Sequence, residues 1–371
     1  MGKKIKQVVM DDKVKDLLTR ANNGDTNAQF NLALSYRHGE GVEENLDEAI
    51  YWFKRAADGG DSDAQYNIAY YYDNGIGFEK DSTLAAKWYT LSADNGNVEA
   101  MYNLAIMYQN GEGVEIDKRK ALRLYTKGAE QGDGDCQYNL ATMYRLGDGI
   151  DSDYKKAVYW YEKSAEQGRA SAMLNLSRMY ELGMGVSKNS EKALSYLVSA
   201  AEKGDSDAEY TLAKMYLHGN KVKQDYDKAI HYYEKSAESG NNDALKELGD
   251  IYYKGIGKTE PVKEKAFDYY KRASDSGNSE AQRILANMYH SGEGIERSEE
   301  QAFEYFTKSA TSDDKLSLYA LAQYYEHGIA TEKDLLKAKE LYTKSLALGY
   351  PPAKKAIKQL NKELKKQGLL N

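Results

Sequence analysis

The apolar positions of this chain fall in two kinds of stretch that take turns. One runs Ala28, Leu32, Ala33, Tyr36, and the next runs Ala49, Trp52, Phe53, Ala56, Ala57. Both follow the three- and four-residue steps that gather side chains on one face of an α-helix. The pair then recurs. The string from Ala28 to Gly60 returns at Ala64, Ala100, Cys136, Ala172, Ala208, Ala244, Ala281 and Ser317. The step is 36 residues, apart from one of 37 between Ala244 and Ala281. A fixed period of this size is the mark of stacked helical units, each of which buries its apolar face only against its neighbours.

Polar and glycine positions punctuate the same period. Gly39, Gly75, Gly111, Gly147, Gly183, Gly219, Gly255, Gly292 and Gly328 stand at the end of the first helix of each unit, where a left-handed residue closes a helix. A second glycine follows two residues later in most repeats, but Lys221 and Ala330 replace it. A branched residue such as Val42, Val114 or Val186 then turns the loop inward. Asn45, Asp81, Asp117, Asp153, Asn189, Asp225, Ser298 and Asp334 are placed to cap the second helix, and Asp61, Asn97, Asp133, Asp205, Asn241, Asn278 and Asp314 the first. All three prolines, Pro261, Pro351 and Pro352, fall at helix starts. The alanine of Ala49 recurs in every repeat and lets the two helices approach closely. Tyr36 also recurs throughout, from Tyr72 and Tyr108 to Tyr289 and Tyr325, with a ring to fill the seam and a hydroxyl to reach a polar group.

These positions predict an all-α, right-handed α-solenoid superhelix of nine helix-turn-helix repeats over residues 26–349. A cap helix is expected on each side. In residues 1–25, Leu17, Ala21 and Gly24 keep the register of Phe53, Ala57 and Gly60, while Lys13, Asp16 and Arg20 wet the face that is apolar elsewhere. In residues 350–371, Ala353, Ile357 and Leu360 keep the register of a first helix, and lysines from Lys354 to Lys366 coat the rest. That coat reads first as a solubilising cap and second as a basic docking surface for an acidic partner or lipid.

The pattern Ala-x-x-x-Leu-Ala-x-x-Tyr-x-x-Gly-x-Gly-Val, then Ala-x-x-Trp/Tyr-Tyr-x-x-Ala-Ala-x-x-Gly, resembles the Sel-one-like repeat (SLR) family, relatives of the tetratricopeptide repeat proteins with a longer unit. The resemblance implies an adaptor that assembles protein complexes. Such proteins serve bacterial host interaction, signalling and endoplasmic-reticulum degradation. A secreted branch of the family bridges its helix pairs by disulfides, from which this chain, with one cysteine, departs.

Charge and composition narrow the partner. The formal charge of -7 argues against nucleic acid, which rewards a dense basic surface. No run is long and apolar enough for a membrane span, and the start MGKKIKQVVMDDKVK holds no secretory apolar stretch, so a cytoplasmic, reducing compartment is expected unless a leader has been trimmed. Gly2 follows Met1, but Lys6 stands where a myristoylation signal needs Ser or Thr. Cys136 occupies an alanine position and reads as a small buried residue before a reactive thiol.

Chemistry-bearing residues do not converge. The repeated Gly-x-Gly follows helices rather than strands, and Gly257-Lys258-Thr259 mimics a phosphate loop whose earlier glycine is Tyr252. His38, His218 and His327 share one repeat position but lie repeats apart, and no His-Glu-x-x-His occurs. The expectation is therefore no catalytic residue, no cofactor and no metal, in a monomeric scaffold that binds a protein or peptide partner. The competing reading is a secreted or envelope-associated bacterial effector, or a regulatory subunit of an enzyme such as a cell-wall hydrolase. Partner binding is expected on the concave face of the first helices, at Tyr66, Asn67, Tyr70, Tyr102, Asn103, Ile106, Tyr138 and Asn139. Asparagine there can pair with a peptide backbone, and tyrosine offers rigid contact area. The inner column changes from Leu34, Tyr70 and Ile106 to Arg178, Lys214 and Asp250, so the second half of the groove should be charged. The alternative is that the asparagines bond only within the stack.

Overall fold

A computed structural model describes residues 10–257 and 260–370. The basic start, with Gly2 and Lys6, and the Lys258-Thr259 pair of the phosphate-loop mimic lie outside the described residues. Among those described, every regular element is an α-helix. In chain order these are α1 (Asp12–Asn22), α2 (Thr26–His38), α3 (Leu46–Asp58), α4 (Ser62–Asn74), α5 (Ser82–Asp94), α6 (Val98–Asn110), α7 (Lys118–Glu130), α8 (Gly134–Leu146), α9 (Tyr154–Glu166) and α10 (Ala170–Leu182). They continue with α11 (Ser190–Glu202), α12 (Ser206–His218), α13 (Tyr226–Glu238), α14 (Asn242–Lys254), α15 (Lys263–Asp275), α16 (Ser279–Ser291), α17 (Glu299–Ala310), α18 (Lys315–His327), α19 (Leu335–Ala347) and α20 (Pro352–Lys366). Even-numbered helices from α2 to α18 open a repeat (helix A) and odd-numbered ones from α3 to α19 close it (helix B). The chain divides into two compact units, Met1–Tyr196 and Leu197–Asn371, with the division inside α11.

The helices start and stop where the polar punctuation places them. Each predicted Asp, Asn or Ser of the helix B column accepts a bond from the backbone N–H three residues on, as in Asp81 from Leu84 at 2.9 Å and Asn189 from Lys192 at 2.9 Å. Asp25 joins the helix A column, while Arg169 breaks it and makes no cap bond. Every helix A ends on its glycine in the left-handed region, between φ 65 at Gly219 and φ 77 at Gly111. The second glycine is also left-handed, and a third column (Gly60, Gly96 and their equivalents) reaches φ 93 and φ 94. Among the described residues only Lys221 (φ 65), Asp313 (φ 58) and Ala330 (φ 54) hold positive φ without being glycine, and all three stand in these glycine columns.

Helix A carries one more buried column than its sequence pattern shows. Ala28, Leu32 and Ala33 and their equivalents are buried, but the Tyr36 column is only partly so: Tyr36, Tyr180 and Tyr252 are buried and Tyr72, Tyr108 and Tyr144 half-buried. The residue just before it does more of the sealing, as Tyr71, Met107, Met143, Met179, Ile251, Met288 and Tyr324, all buried. Helix B answers with a fully buried ring: Phe53, Tyr89, Tyr125, Tyr161, Tyr233, Tyr270 and Tyr342.

Two buried polar columns stitch the stack. Serines of helix B donate to the first carbonyl of their own helix A, as in Ser92 to Ser62 at 2.7 Å, Ser164 to Gly134 at 2.8 Å and Ser345 to Lys315 at 2.7 Å. Glutamines of helix A reach back to the preceding helix: Gln29 to the Ala21 carbonyl at 2.9 Å, Gln65 to Ala57 at 3.1 Å and Gln137 to Ala129 at 3.2 Å. Their own carbonyls accept from the next helix B end, Asn95 on Gln65 at 3.0 Å and Gln167 on Gln137 at 2.8 Å.

Two local expectations change. Pro261 lies before the Val262 cap of α15 rather than in the helix, because the extra residue of this repeat lengthens the loop. In α20 the buried stripe is Ala353, Ala356, Leu360 and Leu364, with Ile357 half-buried, so this helix lies a few tens of degrees rotated from the helix A register.

Candidate functional site

All eight residues expected to bind a partner belong to α4, α6 and α8 of the first unit, and all are half-buried. Their half-burial has a physical source. Each tyrosine at the fifth residue of these helices A leans on the buried ring of its own helix B: Tyr66 on Tyr89 at 5.8 Å between centroids, Tyr102 on Tyr125 at 6.1 Å, Tyr138 on Tyr161 at 5.7 Å. Tilted and edge-to-face contacts of this kind fix a ring better than burial alone. Tyr70 stacks beside Tyr66 at 6.4 Å, and Arg169 lies over the Tyr138 face at 5.3 Å. The face is thus a row of braced rings with Ile106 between them.

The buried hydroxyls beneath are served from the same face. Tyr125 donates to Gln109 at 2.8 Å, Tyr161 meets Thr142 at 2.9 Å and accepts from Arg145 at 3.2 Å, and Asn103 donates to Tyr89 at 3.3 Å. Burial pushes the Tyr89, Tyr125 and Tyr161 phenols well above their ordinary range, so none is ionised at neutral pH. The asparagine column is engaged locally. Asn67 donates to the Asp63 carbonyl at 2.8 Å and accepts from Arg37 at 2.8 Å, and Asn175 donates to the Ser171 carbonyl at 2.8 Å. Each such bond one turn back uses one of the two amide N–H groups that a peptide backbone could meet.

In the second unit α12 and α18 keep the braced ring, Tyr210 on Tyr233 at 5.6 Å and Tyr319 on Tyr342 at 5.1 Å, while α14 and α16 carry Lys246, Asp250 and Arg283, and these charges meet partners. Lys246 lies 3.5 Å from both Asp250 and Glu280, and Tyr270 donates to Asp250 at 2.6 Å. Asp250 is held below the usual carboxylate range: burial opposes this, but bonds from Lys254 and Tyr270 outweigh it. A hollow of about 290 Å³ opens beside Tyr210, Lys214 and His218.

Cys136 is buried beside the Gly128 backbone, and burial pushes its thiol far up, which leaves it unreactive. Among the described residues no three His, Cys, Asp or Glu side chains stand together as a metal site. None of the described helices is long and apolar enough to cross a membrane.

The repeat has a counterpart among known families. The Sel1 repeat profile matches residues 26–61, 62–97, 98–133, 134–168, 170–205, 206–241, 242–278, 279–314 and 315–350. The chain belongs to the Sel1 repeat family. Its fold is similar to that of c5321, a protective antigen present in uropathogenic Escherichia coli strains and displaying an SLR fold, at 30% identity and a TM-score of 0.68 over 94% of this chain and 82% of that one. It is similar also to a Sel1 repeat protein from Oxalobacter formigenes, at 28% identity and a TM-score of 0.68 over 84% of this chain and 90% of that one. No curated protein matches the chain. Sel1 repeat solenoids generally mediate protein–protein interaction and are typically scaffolds rather than catalysts.

Proposed function

We propose that the chain is a non-catalytic adaptor that holds a segment of a partner protein on the helix A face of α4, α6 and α8. The observation that carries this reading is the row of half-buried rings, Tyr66, Tyr102 and Tyr138, each seated on a buried ring of helix B. A rigid aromatic row offers contact area at little entropic cost on binding. The tyrosines and Ile106 contribute more of the contact than the asparagines, since Asn67 and Asn103 each use one amide N–H within the stack. The same reading takes α1 and α20 as caps. Each buries one stripe, Val14, Leu17 and Ala21 or Ala353, Ala356, Leu360 and Leu364, and exposes charge on the other side. A monomer without cofactor completes it, in a reducing compartment that a single free, buried thiol suits.

The test is a partner recovered by pulldown and identified by mass spectrometry, then titrated calorimetrically. Replacing Tyr102 and Asn103 together by alanine should weaken binding by at least ~1–2 kcal/mol if they sit at its centre. Unchanged affinity with helical content intact would place the site elsewhere.

A further inference from the structure

The helix B side of the first unit holds a feature that the groove reading does not use. α7 carries Lys118, Arg119, Lys120, Arg123 and Lys127, all exposed, and has no acidic residue before Glu130. Three of its cations crowd the first turn, where the helix dipole disfavours positive charge, whereas α3 and α17 place acids there. Lys118 is paired with Asp148 at 2.5 Å and Lys120 lies over the Tyr108 ring at 4.8 Å. Arg119, Arg123 and Lys127 form no ion pair among the described residues, and their four-residue spacing aligns them along one ridge. Beside this ridge, between α5, α6 and α7, lies a hollow of about 200 Å³. Its floor is Leu104 and Leu124, its rim Lys120, Arg123 and Lys127, with Thr90 and one carboxylate, Asp94, on the α5 side.

We propose that this ridge and hollow form a second docking site, for an acidic peptide segment that carries one large apolar side chain. The apolar side chain fills the hollow over Leu104 and Leu124, and flanking carboxylates pair with Arg119, Arg123 and Lys127. The spacing fits. Residues four apart on α7 are about 6 Å apart along its axis, and carboxylates two apart on an extended peptide are separated by about 6.8 Å. Arginine at two of three ridge positions suits bidentate carboxylate pairing. In a chain of formal charge -7, a cationic ridge without partners of its own favours an acidic ligand.

The probe is a fluorescein-labelled peptide of twelve residues with glutamates on both sides of a central phenylalanine, titrated by anisotropy at low salt. Expected is saturable binding that weakens as salt rises, at least tenfold weaker binding for the Arg119→Gln/Arg123→Gln/Lys127→Gln protein, and weaker binding when the phenylalanine is glycine. Glutamine keeps helix propensity at these exposed positions, so the triple variant folds. Replacing Tyr102 and Asn103 by alanine should leave this peptide's affinity unchanged, which separates this site from the groove. The proposal is overturned if the peptide does not bind, if the triple variant binds it equally, if the glycine peptide binds as well, or if a peptide with lysine for glutamate binds as tightly. Sedimentation with phosphatidylserine vesicles, lost in the triple variant while the peptide fails to bind, would assign the ridge to a lipid surface instead.

Discussion

Glu209 is the one acid in the buried glutamine column, and it yields the sharpest expectation. Gln29, Gln65, Gln137 and Gln282 each donate an amide N–H to the carbonyl eight residues earlier, at 2.9, 3.1, 3.2 and 3.4 Å. At the same register Glu209 is 3% exposed and its Oε2 has no hydrogen-bond partner. An ionised carboxylate cannot donate to the Ala201 carbonyl. Burial raises the Glu209 pKa above its ordinary 4.5, only partly countered by the Ser239 hydroxyl and Lys235. The folded state therefore holds this proton more tightly than the unfolded one. The contribution to stability is greatest below about pH 4.5, falls as pH rises through the raised folded value, and stays at its minimum above it. Glu209→Gln restores a neutral donor. Regaining the bond is worth about 1 kcal/mol, and removing an unpaired buried acceptor about 1 kcal/mol or more, so the variant should be more stable by roughly 2 kcal/mol at pH 7.5. At pH 4 the advantage should shrink, because protonated Glu209 can itself donate. Guanidinium unfolding of both proteins at the two pH values reads the difference, and hydrogen exchange locates it at α12. A variant no more stable than the parent at pH 7.5, or an advantage of equal size at both pH values, would refute the reasoning.

Two further expectations come from the glycine columns. Gly113→Ala should destabilise by about 3 kcal/mol: its φ is 68, and a Cβ would fall on the Ser82 carbonyl at the start of α5, whereas Gly96→Ala, with φ 94 and open space around it, should lose only ~1–2 kcal/mol in the same denaturation series. Ala330→Gly should stabilise by roughly 0.5–1 kcal/mol, since Ala330 holds φ 54 where most repeats have glycine; an unchanged or lower midpoint would mean that the greater entropy of the unfolded glycine chain offsets the relief of strain.

Much of this molecule is legible in one dimension, because the repeat tests each position up to nine times. The caps at Asp81 and Asp225, the closing glycines and the alanines of helix B recur as fixed identities and fold as read. What was missed recurs only in part as an identity. The column before Tyr36 mixes Ser35, Tyr71, Ile251 and Tyr324 with methionines at Met107, Met143, Met179, Met215 and Met288, so its size and polarity vary although nearly all of it is buried. Burial there follows from facing two helices at once, which a single-helix period does not reveal. The asparagine column, Asn31 to Asn175, recurs through the first five repeats for another reason: a side chain bonded one turn back serves its own helix, as Asn67 and Asn175 do. Recurrence in a stack therefore points first to stacking, and a partner site is better sought where columns vary.

That criterion separates the two units. Positions equivalent to Phe30 and Leu34 are the ones whose identity changes without disturbing the buried columns. In α14 and α16 they become Lys246, Asp250 and Arg283, whereas α12 and α18 keep Tyr210 and Tyr319, and the charges are answered within the unit: Lys246 by Asp250 and Glu280, each at 3.5 Å, and Arg283 by Glu280 at 3.4 Å and Asp314 at 3.5 Å. A partner docking there would have to displace pairs that are already made, and would regain little beyond what it broke. In the first unit the same positions are Tyr66, Tyr70, Tyr102, Ile106 and Tyr138. Their inner sides are seated on buried rings and their outer sides remain half-exposed. Covering that remaining apolar area breaks no ion pair, so its burial adds to affinity without the loss of a bond already made. The contrast favours the proposed groove on α4, α6 and α8 over one on α14 and α16.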